Sequence, residues 1–304
     1  MGGGDRGNRR GAHALSRRAA APLQPRLLRE PGRAARRGPR TPEAGAFRRS
    51  DDARDGARRL RLRPDRRRAG VPSAGRVVTE RHVVALGGGG FSDRDDARLD
   101  DFVLGLAGPS RPRVCFLPTA SGDSADYVVR FYEAFRERAE PSHLELFGRP
   151  RQDIGDFLLA QDVLYVGGGN TANMLAIWSV HGVETVLREA WERGVVLAGI
   201  SAGSICWFEA GVTDSFGDEL APLRCLGFLA DSNCPHYDSE AQRRPTYRRL
   251  VDAGELPPGL AAEDGVGLHF VGTELAEAVA ARPEAGAFRV EPGAETAIPV
   301  RRLG

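Results

Sequence analysis

The chain has 304 residues, enough for one large domain or two small ones with real cores, and its formal net charge is only +2. That near-neutral total hides two opposite segments: residues 1–78 carry 22 Arg against 7 Asp and Glu, and the rest carries 21 Arg against 34 Asp and Glu, with no Lys anywhere. No apolar run is long enough to span a membrane, and no secretory-type apolar leader is present, so a membrane role is not expected.

The segment 1–76 is rich in Arg, Ala, Gly and Pro, with Phe47 its lone aromatic residue. Such a composition buries too little apolar surface to offset the entropy of ordering, which predicts a disordered extension. A polyanion-binding arm, a transit peptide and an autoinhibitory tail are the functional readings. Against the first stands the lack of interleaved aromatics, so a nucleic-acid partner is not expected. Against the second stand Asp51, Asp52 and Asp55. The preferred expectation is a translation start near Val77 or Val78, with residues 77–304 forming the folded domain.

From Val77 onward, apolar runs alternate with helical stretches. "HVVALGGGG" (82–90) predicts a buried strand ending in a glycine loop, and "DRDDARLDDFVLGLAG" (93–108) places Leu99, Phe102, Val103 and Leu106 at helical spacing. "RVCFLPTAS" (113–121) is a strand stopped by Pro118, and 126–139 an amphipathic helix with Val128, Phe131, Tyr132 and Phe135 on one face. "HLELFG" (143–148) and "DVLYVGGGN" (162–170) predict two more strands. A helix broken near His181-Gly182 follows, then the strand "VVLAGISAG" (195–203). This rhythm implies βαβ units, giving an α/β fold with a mostly parallel sheet and helices on both faces. Ligands of such sheets collect at the strands' carboxyl ends, here the loops 87–92, 118–124, 167–171 and 200–204. Beyond 220 the pattern is less regular, and 267–291 reads as a hairpin extension of the sheet edge.

Four cysteines, Cys115, Cys206, Cys225 and Cys234, show neither a CxxC pair nor zinc-finger spacing, which predicts reduced thiols in a cytoplasmic protein and no metal.

The stretch "GISAGS" (199–204) carries the chemistry. A nucleophile on a strand-to-helix turn needs small neighbours, supplied by Gly199 and Gly203, and the following helix aims free N–H groups at the same spot. The competing reading is an ordinary helix-capping serine. "VGGGN" (166–170), one βα unit earlier, offers more free N–H groups, and without a following Lys it does not fit a phosphate loop. A serine also needs a base. His13 lies in the extension, His82 and His143 begin strands at the far end, and His181 sits in a helical region; this leaves His236, with His269 in reserve.

"YVGGGNTANML", "GISAGSICWF", "TDS" and "CPHYD", in that order, resemble the peptidase E (aspartyl dipeptidase) family, related to cyanophycinase, over nearly all of 80–300. The resemblance implies a flavodoxin-like fold similar to class I glutamine amidotransferases. It also implies a Ser-His-Asp triad of Ser201, His236 and Asp214, with Asp218, Asp231 and Asp238 as rivals for the acid. Gly168, Gly169 and Ala202 would form the oxyanion hole, no cofactor would be needed, and the substrate would be a short peptide with N-terminal Asp. Asn170 and Glu263 are the expected substrate contacts, with Asp264 an alternative to Glu263 for the amine and Arg224, Arg243 or Arg244 for the carboxylate. "SICWF" is bulkier than the resemblance leads one to expect, which bears on strict Asp specificity. An amidotransferase-like amidase or acyltransferase and a non-catalytic metabolite-binding module are the alternative functions. The sequence leaves the oligomeric state open, with a homodimer as the candidate.

Overall fold

The computed structural model describes residues 80–92 and 96–304; the expectations for 1–76 and for a start near Val77 lie outside them. In chain order the first half runs β1 (His82–Leu86), α1 (Arg98–Gly105), β2 (Arg113–Leu117), α2 (Ala125–Phe135), β3 (Glu140–His143), α3 (Ile154–Leu159), β4 (Val163–Val166), α4 (Thr171–His181), α5 (Val183–Glu192) and β5 (Val196–Ile200). The second half runs α6 (Ala202–Ile205), β6 (Phe208–Thr213), β7 (Ala221–Arg224), β8 (Leu229–Cys234), α7 (Arg243–Asp252), β9 (Gly259–Ala262), β10 (Val266–Val271), β11 (Glu274–Ala280), β12 (Ala287–Glu291), β13 (Ala294–Ile298) and β14 (Val300–Arg302).

Five parallel strands, ordered β1-β5-β4-β2-β3, form the centre of an eight-stranded sheet. Their side chains alternate between two cores, as the two-residue period of a strand requires. Val83 and Ala85 face the side of α3, α4 and α5, where Met174, Trp178 and Leu187 are fully buried. Val84 and Leu86 face α1 and α2, against Leu99, Phe131 and Phe135. Each such side chain contributes roughly 1.5–3 kcal/mol by leaving water. The mostly parallel α/β sandwich expected from the sequence is therefore the observed fold, and the helix break falls where expected, at Gly182 with φ 69°.

Three differences have local causes. The strand expected at 143–148 is β3, three residues earlier and ending at His143. Leu144 and Leu146 are buried as strand residues would be, but the Asp123 carboxylate takes the N–H groups of Leu146 and Phe147 at 2.6 and 2.8 Å and so ends the pairing. The helix after Ser201 is a single turn, because β6 begins at Phe208. The expected hairpin exists as β10 and β11, with β10 antiparallel to β1. Beyond it, β12 turns away into a second sheet of six strands, β13-β12-β9-β8-β6-β7. That sheet has its own core, in which Tyr247, Leu250 and Val251 of α7 pack with Val212 and Ala261.

Candidate active site

Ser201 joins β5 to α6 with φ 57° and ψ −114°, a conformation that disfavours any side-chain-bearing residue by about 1–3 kcal/mol. The surroundings enforce it. A methyl group at Gly199 would fall 2.2 Å from the Gly203 carbonyl oxygen, and one at Gly203 would fall 2.3 Å from that of Val166, so the elbow closes only with glycine at both places. The Ser201 side chain does not cap the helix, and its hydroxyl makes no hydrogen bond among the described residues. A serine placed for capping would do the reverse.

The second glycine loop lies against the first. Gly168 approaches so closely that a methyl group on it would sit 3.2 Å from Ser201 Cβ. Its N–H points toward the Tyr127 hydroxyl at 3.4 Å, and Tyr127 in turn shares a 2.7 Å hydrogen bond with Ser92. The Tyr127 ring belongs to an aromatic cluster in which Phe91, just past the first glycine loop, meets five other rings at 5.2–5.8 Å. The wall of the site is thus continuous with one face of the main core.

His236 and Asp264 arrive from the second sheet. β8 and β9 are parallel neighbours, with Cys234 opposite Ala261, so the residues just past their carboxyl ends emerge side by side. There His236 Nδ1 is 2.7 Å from Asp264 Oδ1. The His236 N–H donates to the Gly87 carbonyl and that of Gly265 to the Gly88 carbonyl, which sets the pair on the first glycine loop. A methyl group at Gly88 would lie 2.0 Å from Asp264 Oδ1. Burial pushes the Asp264 carboxyl up, but the His236 hydrogen bond and charge, with Ser239 and Arg282, outweigh it and hold the group below the ordinary carboxylate value. Asp238 supports the turn by accepting the Asp264 N–H at 2.9 Å and pairing with Arg282 at 3.0 Å.

These residues line one cavity of about 270 Å³, formed by Ser201, His236, Asp264, Gly168, Ile200, Tyr127, Arg130, Gly89 and Ser92. A larger cleft of about 770 Å³ lies along α5 and holds Cys225, whose thiol burial pushes up to about 12. It pairs no nucleophile with a base. Cys206, one turn past Ser201, is fully buried and donates its Sγ–H to the Gly203 carbonyl, so it is no substitute nucleophile.

Residues 83–278 match the model of peptidase family S51. The chain belongs to that family. It is 50% identical over 230 residues to the uncharacterized peptidase YgaJ of Bacillus subtilis (strain 168), a match spanning 74% of this chain and all of that one. Among solved structures it is similar to a peptidase from an acI-B1 Actinobacterium, with a TM-score of 0.56 and 16% identity over 73% of this chain and 96% of the other, a likeness of fold. Membership of family S51 bears out the resemblance to peptidase E and makes the chain a peptidase.

Within this S51 domain the residues expected to form the site are only partly brought together. Ser201, His236 and Gly168 share the cavity, and Ala202 opens α6 beside them. Gly169 is not among the residues lining it, and a methyl group there would fall 2.2 Å from the Ala120 carbonyl oxygen. Asp214 is not the partner of His236: it is exposed in the turn after β6, while Asp264 holds the ring. Of the rivals, Asp231 pairs with Arg289 and Asp238 supports Asp264 from behind. Both ends of the Asn170 amide are engaged within the protein, where Oδ1 caps α4 by accepting the Asn173 N–H and Nδ2 donates to the Ser215 carbonyl. Glu263 points to the Gly286 N–H. Arg243 is buried against Glu240 and the Val212 carbonyl, and Arg244 pairs with Glu295. His269, the reserve base, is buried in β10 and bonded to His82. His143 ends its strand instead of beginning it and meets the Tyr132 hydroxyl. Trp207 and Phe208 are core residues, so their bulk does not fill the cavity.

Asp264 as the histidine's partner, Tyr127 and Arg130 were not singled out from the sequence. The signal for Asp264 was the acidic turn "EDG" between two strands. Its use depended on knowing that the next strand lies against β1, with Gly267 opposite Leu86.

Proposed function

We propose that this S51 peptidase is a serine hydrolase of short peptides, with dipeptides carrying N-terminal Asp as the preferred substrates, and that Ser201, His236 and Asp264 form its triad. The observation that carries this reading is the strained elbow serine, its hydroxyl unengaged, in one cavity with a histidine whose Nδ1 is held by a carboxylate.

Asp264 accepts the proton-bearing Nδ1 of His236, which leaves Nε2 as the basic nitrogen. His236 takes the Ser201 proton as the hydroxyl oxygen attacks the peptide carbonyl carbon. The backbone N–H groups of Gly168 and Ala202 receive the tetrahedral oxyanion, the Gly168 N–H leaving the Tyr127 hydroxyl to do so. His236 then protonates the leaving amine as the C–N bond breaks, and water repeats the sequence on the acyl-enzyme to release the acid and restore Ser201. The missing hydrogen bond to Ser201 fits a free site, where catalytic hydrogen bonds commonly form only around substrate. The four cysteines are unpaired, which supports a reducing compartment such as the cytoplasm. No helix among the described residues is long and apolar enough to cross a membrane.

The reading is tested by offering Asp-X, Glu-X, Ala-X and Leu-X dipeptides to the protein and to Ser201→Ala. Amino acid release from Asp-X above the others, abolished by the substitution, is expected. Cleavage led by another member moves the specificity, and no cleavage by the folded protein overturns the assignment.

A further inference from the structure

We infer that Arg130 is the specificity-determining cation of this site and receives a substrate carboxylate beside the scissile bond. The inference rests on the peptidase reading above and deepens it.

Arg130 lines the cavity that holds Ser201, and it is the one arginine to do so among the described residues. The arginines nearby are committed. Arg243 is bound to Glu240, Arg244 to Glu295, and Arg282 to Asp238 and the Asp264 carbonyl. Arg130 has no hydrogen bond or ion pair among the described residues, although Glu133 lies one helical turn on and Asp96 and Asp100 line the neighbouring cavity of about 310 Å³ that Arg130 also borders. Of those carboxylates, Asp96 pairs with Arg98 and Asp100 accepts from Tyr165, while Glu133 is exposed to water and forms no ion pair with Arg130. A half-buried guanidinium without an ion pair, in a cavity whose one carboxylate, Asp264, is hydrogen-bonded to His236, has its charge left for a ligand.

Its orientation is also set. The guanidinium carbon lies 4.9 Å from the centre of the Tyr127 ring, and the hydroxyl of that ring touches the Gly168 N–H. The guanidinium therefore lies over the ring whose hydroxyl borders the proposed oxyanion position, in the same cavity as Ser201. A stacked guanidinium offers paired N–H donors that match a carboxylate and that Lys does not reproduce. A dipeptide has two carboxylates near its scissile bond, the side chain of an acidic first residue and the free C-terminus, and the chemistry of recognition is the same for both.

The test uses equilibrium binding, so that it does not depend on turnover. Full-length Ser201→Ala protein, with Arg130 intact or changed to Gln or Lys, is titrated by calorimetry with Asp-Leu, Asn-Leu and Asp-Leu amide. With Arg130 intact, one of the two neutralised peptides binds about tenfold or more weakly than Asp-Leu, and which one identifies the carboxylate. Arg130→Gln reduces that discrimination to about twofold, and Arg130→Lys restores part of it. Discrimination that survives Arg130→Gln, or an intact protein that binds charged and neutralised peptides alike or binds none, overturns the inference. Should binding discriminate as expected while the unsubstituted enzyme cleaves no peptide, the peptidase reading fails and the role of Arg130 as carboxylate receptor stands.

Discussion

His236 Nδ1 and Asp264 Oδ1 stand 2.7 Å apart at the carboxyl ends of two adjacent parallel strands, and the first glycine loop holds the pair from beneath. The geometry is that of a carboxylate fixing a histidine tautomer. Asp264→Asn should therefore lower kcat by about 10³–10⁴-fold with the fold intact, as expected when the wrong nitrogen is left protonated. Asp214→Asn alters an exposed turn and should shift stability by no more than about 0.5 kcal/mol, with kcat retained. Steady-state kinetics on the two variants separates the acids, and the opposite ranking would return the role to Asp214.

Gly88 tests the same pair from its support. A methyl group there falls 2.0 Å from Asp264 Oδ1 and 3.1 Å from His236 Nδ1, so Gly88→Ala must push the two side chains aside. We expect kcat to fall at least about tenfold, since small misplacement of catalytic groups is expensive in rate. The far-ultraviolet circular dichroism spectrum should stay unchanged. Full activity in this variant would show that the pair does not need its observed position.

What the sequence revealed and what it hid divide along contact range. The elbow around Ser201, the loop at Gly168 and the helix break at Gly182 are written in adjacent residues, because each is a backbone requirement met by glycine at a fixed offset. The sequence offers Asp264 only as a contact for the substrate amine, because its place beside His236 follows from β10 lying antiparallel to β1, a pairing across roughly 180 residues that no local pattern encodes. The second sheet was hidden likewise, since its edge strands bury little: no residue of β13 or β7 is fully buried. Asn170 carries a structural duty that its place in the glycine loop does not reveal. The side chain stands beside the site, yet the helix terminus it caps and the Ser215 loop it ties down use both ends of its amide.

Removing that tie should register as stability. Asn170→Ala loses the cap of α4 and the bond to the Ser215 carbonyl, for an expected loss of about 1–2 kcal/mol in urea unfolding. Asn170→Asp keeps the cap acceptor and should recover about half of it. Equal, near-zero effects would assign the side chain to substrate instead.

Asp100 sets a pH dependence. Burial is the main cause of a carboxyl pushed up to about 7 from 3.8, partly opposed by Arg138 and the Tyr165 hydrogen bond. Between these values the folded chain holds a proton that the unfolded chain has released, so the contribution to stability falls as pH rises from about 4 to about 7. Asp100→Asn cannot ionise. It should therefore gain stability relative to the unsubstituted protein as pH rises from 5 to 8, by an amount on the order of a few kcal/mol, read from urea melts at both values. A difference independent of pH would show that Asp100 ionises as an ordinary carboxyl.

The central claim is that Ser201 is the nucleophile, activated by His236 and Asp264. It is tested most directly by treating the full-length protein with a fluorophosphonate and locating the adduct by tandem mass spectrometry. One adduct is expected, on Ser201, absent in Ser201→Ala and formed far more slowly in Asp264→Asn. A folded protein left unmodified at Ser201, or Asp264→Asn labelled as fast as the unsubstituted protein, would speak against that assignment.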